Sequence, residues 1–73
     1  MKEFSKTLKE IRIREGLTQK EIATQLNIPM STYRLWEYGT SLPHVNKWNK
    51  IKYYFGDELN EIYVAERMKK FSK

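Results

Sequence analysis

The chain has 73 residues, no cysteine and one histidine, with 14 Lys and Arg against 9 Asp and Glu. At this length we expect a single domain over residues 1–73 with a modest core, which disfavours enzymes built from two lobes around a cleft. The lack of cysteine excludes disulfides and thiolate metal sites, and His44 alone cannot complete a metal site or a Ser-His-Asp relay. We therefore predict no enzyme activity, no metal and no cofactor.

The hydropathy and net charge of the chain indicate where the protein is located and what kind of partner it binds. No apolar run approaches the roughly 20 residues needed to span a bilayer. The charged start, MKEFSKTLKE, also differs from the apolar stretch of a signal peptide. We therefore expect a cytoplasmic protein without a membrane partner. The net charge of +5 favours a polyanionic partner, although charge alone is weak evidence because many small basic proteins bind none.

Apolar spacing predicts a first helix over residues 4–15. Phe4, Leu8 and Ile11 recur at four- and three-residue intervals, and Gly16 stands where a helix C-cap glycine belongs. A second helix is predicted over residues 18–26.

The start of the second helix carries a capping signal. The Thr18 hydroxyl can accept from the amide of Glu21, and the Glu21 carboxylate can reach back to the amide of Thr18. Asn27, Ile28 and Pro29 then interrupt the pattern, because proline clashes with a continuing helix and disfavours helical geometry in the residue before it.

A third helix is predicted over residues 30–38, after this three-residue joint. Tyr33 and Trp36 lie three residues apart and should face the core, and Gly39 supplies the left-handed residue that ends the helix. Two short helices with such a joint have the spacing of a DNA-reading helix-turn-helix.

The remaining residues predict two more helices and no strand. Val45, Trp48, Ile51 and Phe55 have helical spacing, with Gly56 as the stop. Asp57 could then cap a fifth helix over about residues 57–71. Its apolar residues are Leu59, Ile62, Tyr63, Met68 and Phe71. The predicted fold class is all-α with five helices.

The stretch LTQKEIATQLNIPMSTYRLWEYGTSLP resembles the helix-turn-helix of the phage repressor and Cro family, the xenobiotic-response-element type of bacterial regulators. Looser similarity extends from about Leu8 to Ile62. The resemblance implies a compact lambda-repressor-like domain that binds an operator in double-stranded DNA as a homodimer and regulates transcription. The matching residues are Leu17, Gln19, Glu21, Ile22, Ala23, Leu26, Ile28, Ser31, Trp36, Glu37, Gly39 and Pro43.

By this resemblance the third helix enters the major groove, with Met30, Ser31, Arg34 and Leu35 at base-facing positions. The Arg34 guanidinium matches the O6 and N7 acceptors of guanine, although it could instead clamp a phosphate or form a surface ion pair. Ser31 and Thr32 could donate to a phosphate or a base, or bond free amides at the helix start. Met30 and Leu35 could meet thymine methyl groups, or pack loosely, or face a protein partner.

The second helix should stand across the DNA backbone. Gln19 resembles the family's phosphate-contacting glutamine, at the positive end of a helix dipole. Thr18 is first a cap, and Lys20 is either a phosphate partner or a solvated lysine.

Further contacts are expected after the third helix. The resemblance places four residues near the DNA backbone that flanks the half-site: Tyr38, Thr40, Ser41 and Lys47.

Arg12 and Glu37 match a pair that often bridges the first and third helices in this family, so we expect a structural ion pair. Three residues depart from the family pattern: Pro29 replaces a capping Ser or Thr, Lys52 a small apolar residue and Asp57 an apolar one. Pro29 is tolerable at a helix start, since its missing amide would be unpaired anyway. Lys52 and Asp57 put the packing of the last two helices, and the dimer surface, in question.

Charge is distributed unevenly along the chain. Residues 57–66 contain four acids and no base, whereas residues 29–52 contain four Lys and Arg and one acid, so positive charge surrounds the reading helix. The basic tail, residues 67–73, is either a phosphate-binding arm or, as we favour, the solvated end of a helix.

The sequence allows two interpretations of the apolar residues in the last helices, and two functions other than operator binding. Tyr54, Phe55, Leu59, Ile62 and Tyr63 could form a symmetric dimer surface or cover the domain's own core. The chief rival function is a protein-interaction module, an antirepressor or a phage-borne inhibitor, that binds a host or phage protein through the Met30 and Leu35 face. RNA binding is less favoured, because the aromatic residues near the reading helix are expected to face inward.

Overall fold

The computed structural model describes residues 2–71, with side chains described for residues 2–69. Five α-helices and one 3₁₀ turn occur within this range, and none of these helices is long and apolar enough to cross a bilayer. Within residues 2–71 the protein thus has the all-α, five-helix architecture that the sequence predicts, and it fits the lambda-repressor-like fold that the resemblance implies. The elements are α1 (Lys2–Arg14), α2 (Gln19–Leu26), α3 (Met30–Tyr38), α4 (Val45–Ile51), the 3₁₀ turn (Lys52–Tyr54) and α5 (Asp57–Phe71).

Helix α1 packs against both α3 and α5. Its apolar stripe buries Phe4 and Leu8 completely, while Ile11 is partly buried against the same core. The helix begins two residues before the predicted start, and Gly16 leaves it with φ of +73°, as the C-cap prediction requires. The amide of Leu17 then donates to the carbonyl of Arg12 at 3.1 Å, which directs the chain into α2.

Helix α2 begins with the predicted capping box. The Glu21 amide donates to Thr18 Oγ1 at 3.0 Å, and the Thr18 amide donates to Glu21 Oε1 at 2.8 Å. The helix ends at Asn27, which adopts left-handed geometry with φ of +59°. Asparagine is one of the few residues that tolerates this conformation. Proline at position 29 predicted the joint, but the left-handed conformation of Asn27 was not predicted.

Helix α3 has the predicted bounds. Pro29 is extended, with ψ of 143°, and precedes the first helical residue. It therefore caps without a side-chain hydrogen bond, and its carbonyl accepts from the Tyr33 amide at 3.1 Å. Gly39 closes the helix with φ of +78°, and a Cβ at this position would lie 3.3 Å from Ser5 Oγ. Left-handed geometry and close contact with α1 together require glycine at position 39.

The fourth helix is shorter than predicted. It ends at Ile51, and residues 52–54 tighten into the 3₁₀ turn. Val45 is the first residue of α4, as its spacing suggests, but its side chain lies exposed and outside the core. Phe55, two turns after Trp48, is nevertheless buried, because the same side of the chain still faces inward.

An aromatic cluster of Phe4, Trp48, Phe55 and Tyr63 joins α1, α4 and α5. Trp48 stacks on Tyr63 with ring centroids 4.7 Å apart and on Phe55 at 5.8 Å, and Phe4 meets it edge-on at 5.6 Å. The polar groups of two of these rings are hydrogen-bonded as well. Trp48 Nε1 donates to Asn60 Oδ1 at 2.8 Å, and the Tyr63 hydroxyl donates to the Pro43 carbonyl at 2.7 Å.

The residues that departed from the family pattern are accommodated at the surface. Asp57 is the first residue of α5, not the cap before it, and is exposed in a turn where acids favour a helix. Lys52 lies partly buried in the 3₁₀ turn, with its Nζ 5.5 Å from the centre of the Tyr53 ring.

Most of the predicted dimer surface belongs to the core. Phe55, Leu59 and Tyr63 are buried within the domain, so they cannot also form a dimer surface. Tyr54 is 59% exposed, and its hydroxyl donates to the Gln25 carbonyl at 3.3 Å.

Near the end of α5, the Met68 side chain is exposed and does not pack against the core. The predicted roles of the Phe71, Lys70 and Lys73 side chains lie outside the described residues.

Candidate nucleic-acid interface

Helix α3 presents one apolar face to the core and one mixed face to solvent. Tyr33 and Trp36 are buried, as predicted. Ser31, Arg34 and Leu35 lie exposed on the opposite side, Leu35 with 43% of its surface accessible. The outward face of α3 is thus a short strip of hydroxyl, guanidinium and alkyl groups.

Two residues predicted at or near this face are only partly available. Met30, the first residue of α3, is half-buried and packs against the core. Thr32 is also half-buried. Both keep some exposed surface, but Ser31, Arg34 and Leu35 form the outermost part of the helix.

Beneath this face, Arg12 and Glu37 are in direct contact between α1 and α3. Arg12 Nε donates to Glu37 Oε2 at 2.6 Å, and Arg12 Nη2 donates to Glu37 Oε1 at 3.2 Å. The arginine also donates from Nη1 to the Leu17 carbonyl at 2.9 Å. The Glu37 side chain is 2% exposed and that of Arg12 13% exposed, so water screens this pair poorly.

Two further donors reach the same carboxylate. The Tyr33 hydroxyl donates to Glu37 Oε2, and Gln19 Nε2 donates to Glu37 Oε1 at 3.1 Å. Burial alone would raise the pKa of Glu37, but hydrogen bonds from Arg12, Tyr33 and Gln19 hold that pKa below its ordinary value. Glu37 is therefore a stable buried anion that ties α1, α2 and α3 together.

The same contacts shift the pKa values of the neighbouring groups. The hydrogen bond to Glu37 raises the pKa of Arg12 against the effect of burial. Burial, together with the bond to Glu37, raises the pKa of the Tyr33 hydroxyl. Arg12 therefore stays charged, and the Tyr33 hydroxyl keeps its proton and stays a hydrogen-bond donor, across the physiological pH range.

Gln19 continues the network to the surface. Its Oε1 accepts from Arg34 Nε at 3.2 Å, so the first residue of α2 contacts the exposed arginine of α3. The bonds run from Arg12 through Glu37 and Gln19 to Arg34, and Tyr33 joins at Glu37. We call these five residues the Glu37 network.

The other predicted residues of α2 surround its N-terminus. The Thr18 hydroxyl accepts from the helix as part of the capping box, yet it keeps a proton that it can donate. Lys20 is exposed in the first turn. Free amides and the positive end of the helix dipole make this end of α2 favourable for an anion.

The predicted flanking residues follow α3 or lie on α4. Tyr38 and Thr40 are exposed on either side of Gly39, and the Thr40 amide donates to the Leu35 carbonyl at 3.0 Å. Lys47 is partly buried in the first turn of α4. The side chains of these three residues take no part in the Glu37 network.

Sequence reasoning missed two parts of the network. Tyr33 and Glu37 are four residues apart on one helix, so their contact could have been predicted from spacing. Gln19 was interpreted as a phosphate contact, and its bonds to Glu37 and Arg34 were not foreseen. Those bonds depend on how closely α2 approaches α3, which no local pattern specifies.

Comparison with known proteins gives a family match and two distant relatives. A family model described as helix-turn-helix matches residues 8–51. An HTH-type transcriptional activator of Enterococcus faecalis, BcrR, is 27% identical over 66 residues, covering 90% of this chain and 32% of that protein. The cryptic phage CTXphi transcriptional repressor RstR of Vibrio cholerae is 27% identical over 59 residues, covering 81% of this chain and 53% of that protein.

This chain thus spans about a third of one relative and about half of the other. No solved structure matches it at a significant level. The matched residues 8–51 contain α2 and α3 and every residue of the Glu37 network.

Proposed function

Because this chain belongs to the Cro/C1-type helix-turn-helix family of DNA-binding transcriptional regulators, we propose that it reads an operator half-site through α3. In this proposal the protein is a repressor of the Cro type. It occupies an operator near a promoter, without a cofactor or a small-molecule ligand, and it acts on DNA in the cytoplasm.

The observation that carries the proposal is the exposed strip of α3. Ser31, Arg34 and Leu35 project from a helix whose opposite face is fixed by buried Tyr33 and Trp36. A rigid helix with exposed donor and alkyl groups suits major-groove reading, since the groove offers acceptors and thymine methyl groups.

Arg34 is the residue proposed to read a base. It is exposed, and its guanidinium can donate two hydrogen bonds to O6 and N7 of one guanine. Ser31 would donate to a base or a phosphate, and Leu35 would contact a thymine methyl group. Met30 and Thr32 are proposed as secondary contacts, because only part of each side chain is accessible.

Phosphate contacts are proposed on both sides of the reading helix. Gln19, Thr18 and Lys20 lie at the N-terminus of α2, where amides and the helix dipole favour an anion. Tyr38, Thr40 and Lys47 would contact the DNA backbone on the other side. Such contacts position the protein without specifying sequence.

A homodimer is proposed because one reading helix contacts only a few base pairs. Two-fold dimers read half-sites about one helical turn, ~34–36 Å, apart. Phe55, Leu59 and Tyr63 are buried in the domain, so the dimer surface would use exposed apolar residues near them, Tyr53 and Tyr54.

That the protein represses transcription, and does not activate it, is also part of the proposal. One relative is named a transcriptional activator and the other a phage transcriptional repressor. The repressor proposal is supported by the compact site, since every proposed DNA contact lies within residues 18–47 and a bound dimer would cover the operator.

The test is selection of bound sequences from a random duplex library, followed by titration of the winning duplex at several salt concentrations. We expect a palindromic motif and a binding constant that falls steeply with salt, because phosphate contacts release counterions. Arg34→Ala should relax preference at one guanine in each half-site, by ~1–3 kcal/mol in discrimination.

A matched control is Lys50→Ala, which also removes an exposed cation but lies on α4 outside the proposed contacts. It should leave the selected motif unchanged. If the unsubstituted protein enriches no sequence, the operator proposal is wrong, and the protein-interaction module becomes the leading function. Docking through apolar Leu35 would then depend little on salt.

A further inference from the structure

Gln19 holds a position that its proposed phosphate contact does not require. Its side-chain amide lies between a buried anion, Glu37, and an exposed cation, Arg34, and it bonds both. Three helices thus contribute to the placement of one surface guanidinium: α1 through Arg12, α2 through Gln19 and α3 through Glu37.

The chemistry of Glu37 fixes which way the Gln19 amide points. An ionised carboxylate only accepts hydrogen bonds, so the amide must turn its nitrogen toward Glu37. Its oxygen then faces outward, and that oxygen accepts from Arg34 Nε at 3.2 Å. The buried anion therefore selects a donor, and not an acceptor, as the surface partner of Gln19.

This contact also decides which edge of the guanidinium is available. With Nε engaged by Gln19, the two terminal nitrogens of Arg34 remain as a parallel pair of donors. O6 and N7 of guanine need such a pair in one plane. An arginine held at Nε loses less conformational freedom on binding than one that moves freely.

We infer that Gln19 is a specificity-determining residue, which positions Arg34 for guanine and so couples the buried Arg12–Glu37 pair to base selection. This role rests on the proposed function, since it needs Arg34 to read a base. It is compatible with a phosphate contact, because Gln19 Nε2 carries a second proton beyond the one donated to Glu37.

Positioning and phosphate binding predict different losses for Gln19→Ala. Loss of a phosphate contact weakens binding to all sequences alike and lowers the salt slope. Loss of positioning reduces preference for one guanine by about 2- to 10-fold, the value of one side-chain hydrogen bond. The fold should tolerate the change, because Glu37 keeps its bonds from Arg12 and Tyr33.

The experiment measures binding of the selected duplex, and of duplexes altered at the guanine, by the unsubstituted protein, Gln19→Ala, Arg34→Ala and the double variant. We expect Gln19→Ala to lower guanine discrimination, and to have no further effect on it once Arg34 is alanine. Gln25→Ala is the matched control, since Gln25 lies exposed near the other end of α2. It should leave guanine discrimination unchanged.

A second measurement tests the contact without DNA. Nitrogen-15 relaxation of Arg34 Nε should report a restricted side chain in the unsubstituted protein and a mobile one in Gln19→Ala. Equal mobility in the two proteins would overturn the inference.

The outcomes separate failure of the inference from failure of the proposed function. A selected motif whose guanine is preferred equally by Gln19→Ala overturns the positioning role and leaves operator binding intact. If the unsubstituted protein selects no motif, operator binding is overturned, and the specificity role with it, even if the relaxation data show the contact.

Discussion

Helix α1 contacts two regions of the molecule that are built in different ways. Phe4, near its start, lies in the aromatic cluster with Trp48 and Tyr63. Arg12, near its end, lies in the Glu37 network. The first region is held by apolar area and ring contacts, and the second by hydrogen bonds to one buried carboxylate.

The difference separates stability from geometry. Apolar burial is favourable in almost any orientation, so the aromatic cluster mainly contributes free energy of folding. A buried ion pair contributes little net stability, because its attraction is largely offset by desolvation, but it requires specific angles and distances. The Glu37 network therefore fixes how α2 and α3 meet at the proposed reading face.

Substitutions in the aromatic cluster should reduce stability most. Trp48→Ala removes a 1% exposed ring that stacks on Tyr63 and Phe55 and bonds Asn60. We expect a loss of ~3–5 kcal/mol in the free energy of unfolding. A chain of this length has only about 4–11 kcal/mol in total. Urea unfolding followed by circular dichroism would measure the loss.

Trp48→Phe is the control for this prediction. It keeps an aromatic ring in the cluster but loses the bond to Asn60, so we expect a loss of about 1–2 kcal/mol. If Trp48→Ala cost less than removing one member of the Glu37 pair, the assignment of stability to the aromatic cluster would be wrong.

The next effect is in the Glu37 network. Arg12→Met leaves the Glu37 carboxylate buried without its cation, which should cost about 3 kcal/mol in the free energy of unfolding. Adding Glu37→Gln removes the stranded charge. The double variant should therefore be more stable than the sum of the two single losses predicts, by at least ~1 kcal/mol.

This double variant separates the effect of the buried charge from the effect of side-chain orientation. Its stability should partly recover, while it should bind the selected operator less tightly than the unsubstituted protein. An amide at position 37 can donate as well as accept, so it no longer fixes which way the Gln19 amide points. Additive losses in the urea experiment would show instead that Arg12 and Glu37 act independently.

The fold was largely predictable because its signals are local. The capping box of Thr18, the break at Pro29 and the glycine at position 39 each act within a few residues, and α3 has its predicted bounds. The error at α4 has the same origin. Apolar spacing continued to Phe55, but spacing cannot distinguish an α-helix from a 3₁₀ turn that keeps the same side buried.

The candidate site was predictable by position but not by contact. Resemblance placed Gln19 and Arg34 on the face proposed to read DNA, and in the structure Arg34 is exposed and Gln19 partly buried beside it. Their hydrogen bond depends on the packing of α2 against α3, which is tertiary. Likewise, spacing could not assign Phe55, Leu59 and Tyr63 to a dimer surface or to the core, because both use the same apolar stripe.

The smallest effect is a pH dependence that should belong to the Glu37 network and not to the aromatic cluster. The pKa of Glu37 is held below its ordinary value of 4.5 in the folded protein, so near that pH the unfolded chain binds more protons. The contribution of Glu37 to stability is therefore fully present above pH 4.5 and is lost as the pH falls through the lower folded pKa.

Urea unfolding of the unsubstituted protein and Glu37→Gln at a series of pH values from about 7 to 3 would measure this contribution. The difference between the two free energies should shrink toward acid, because a protonated Glu37 resembles glutamine, whereas the other carboxyl groups are common to both proteins. Trp48→Phe should instead differ from the unsubstituted protein by a constant amount, since neither ring titrates. A difference for Glu37→Gln that stays constant down to pH 3 would mean that the carboxylate charge does not hold the network together.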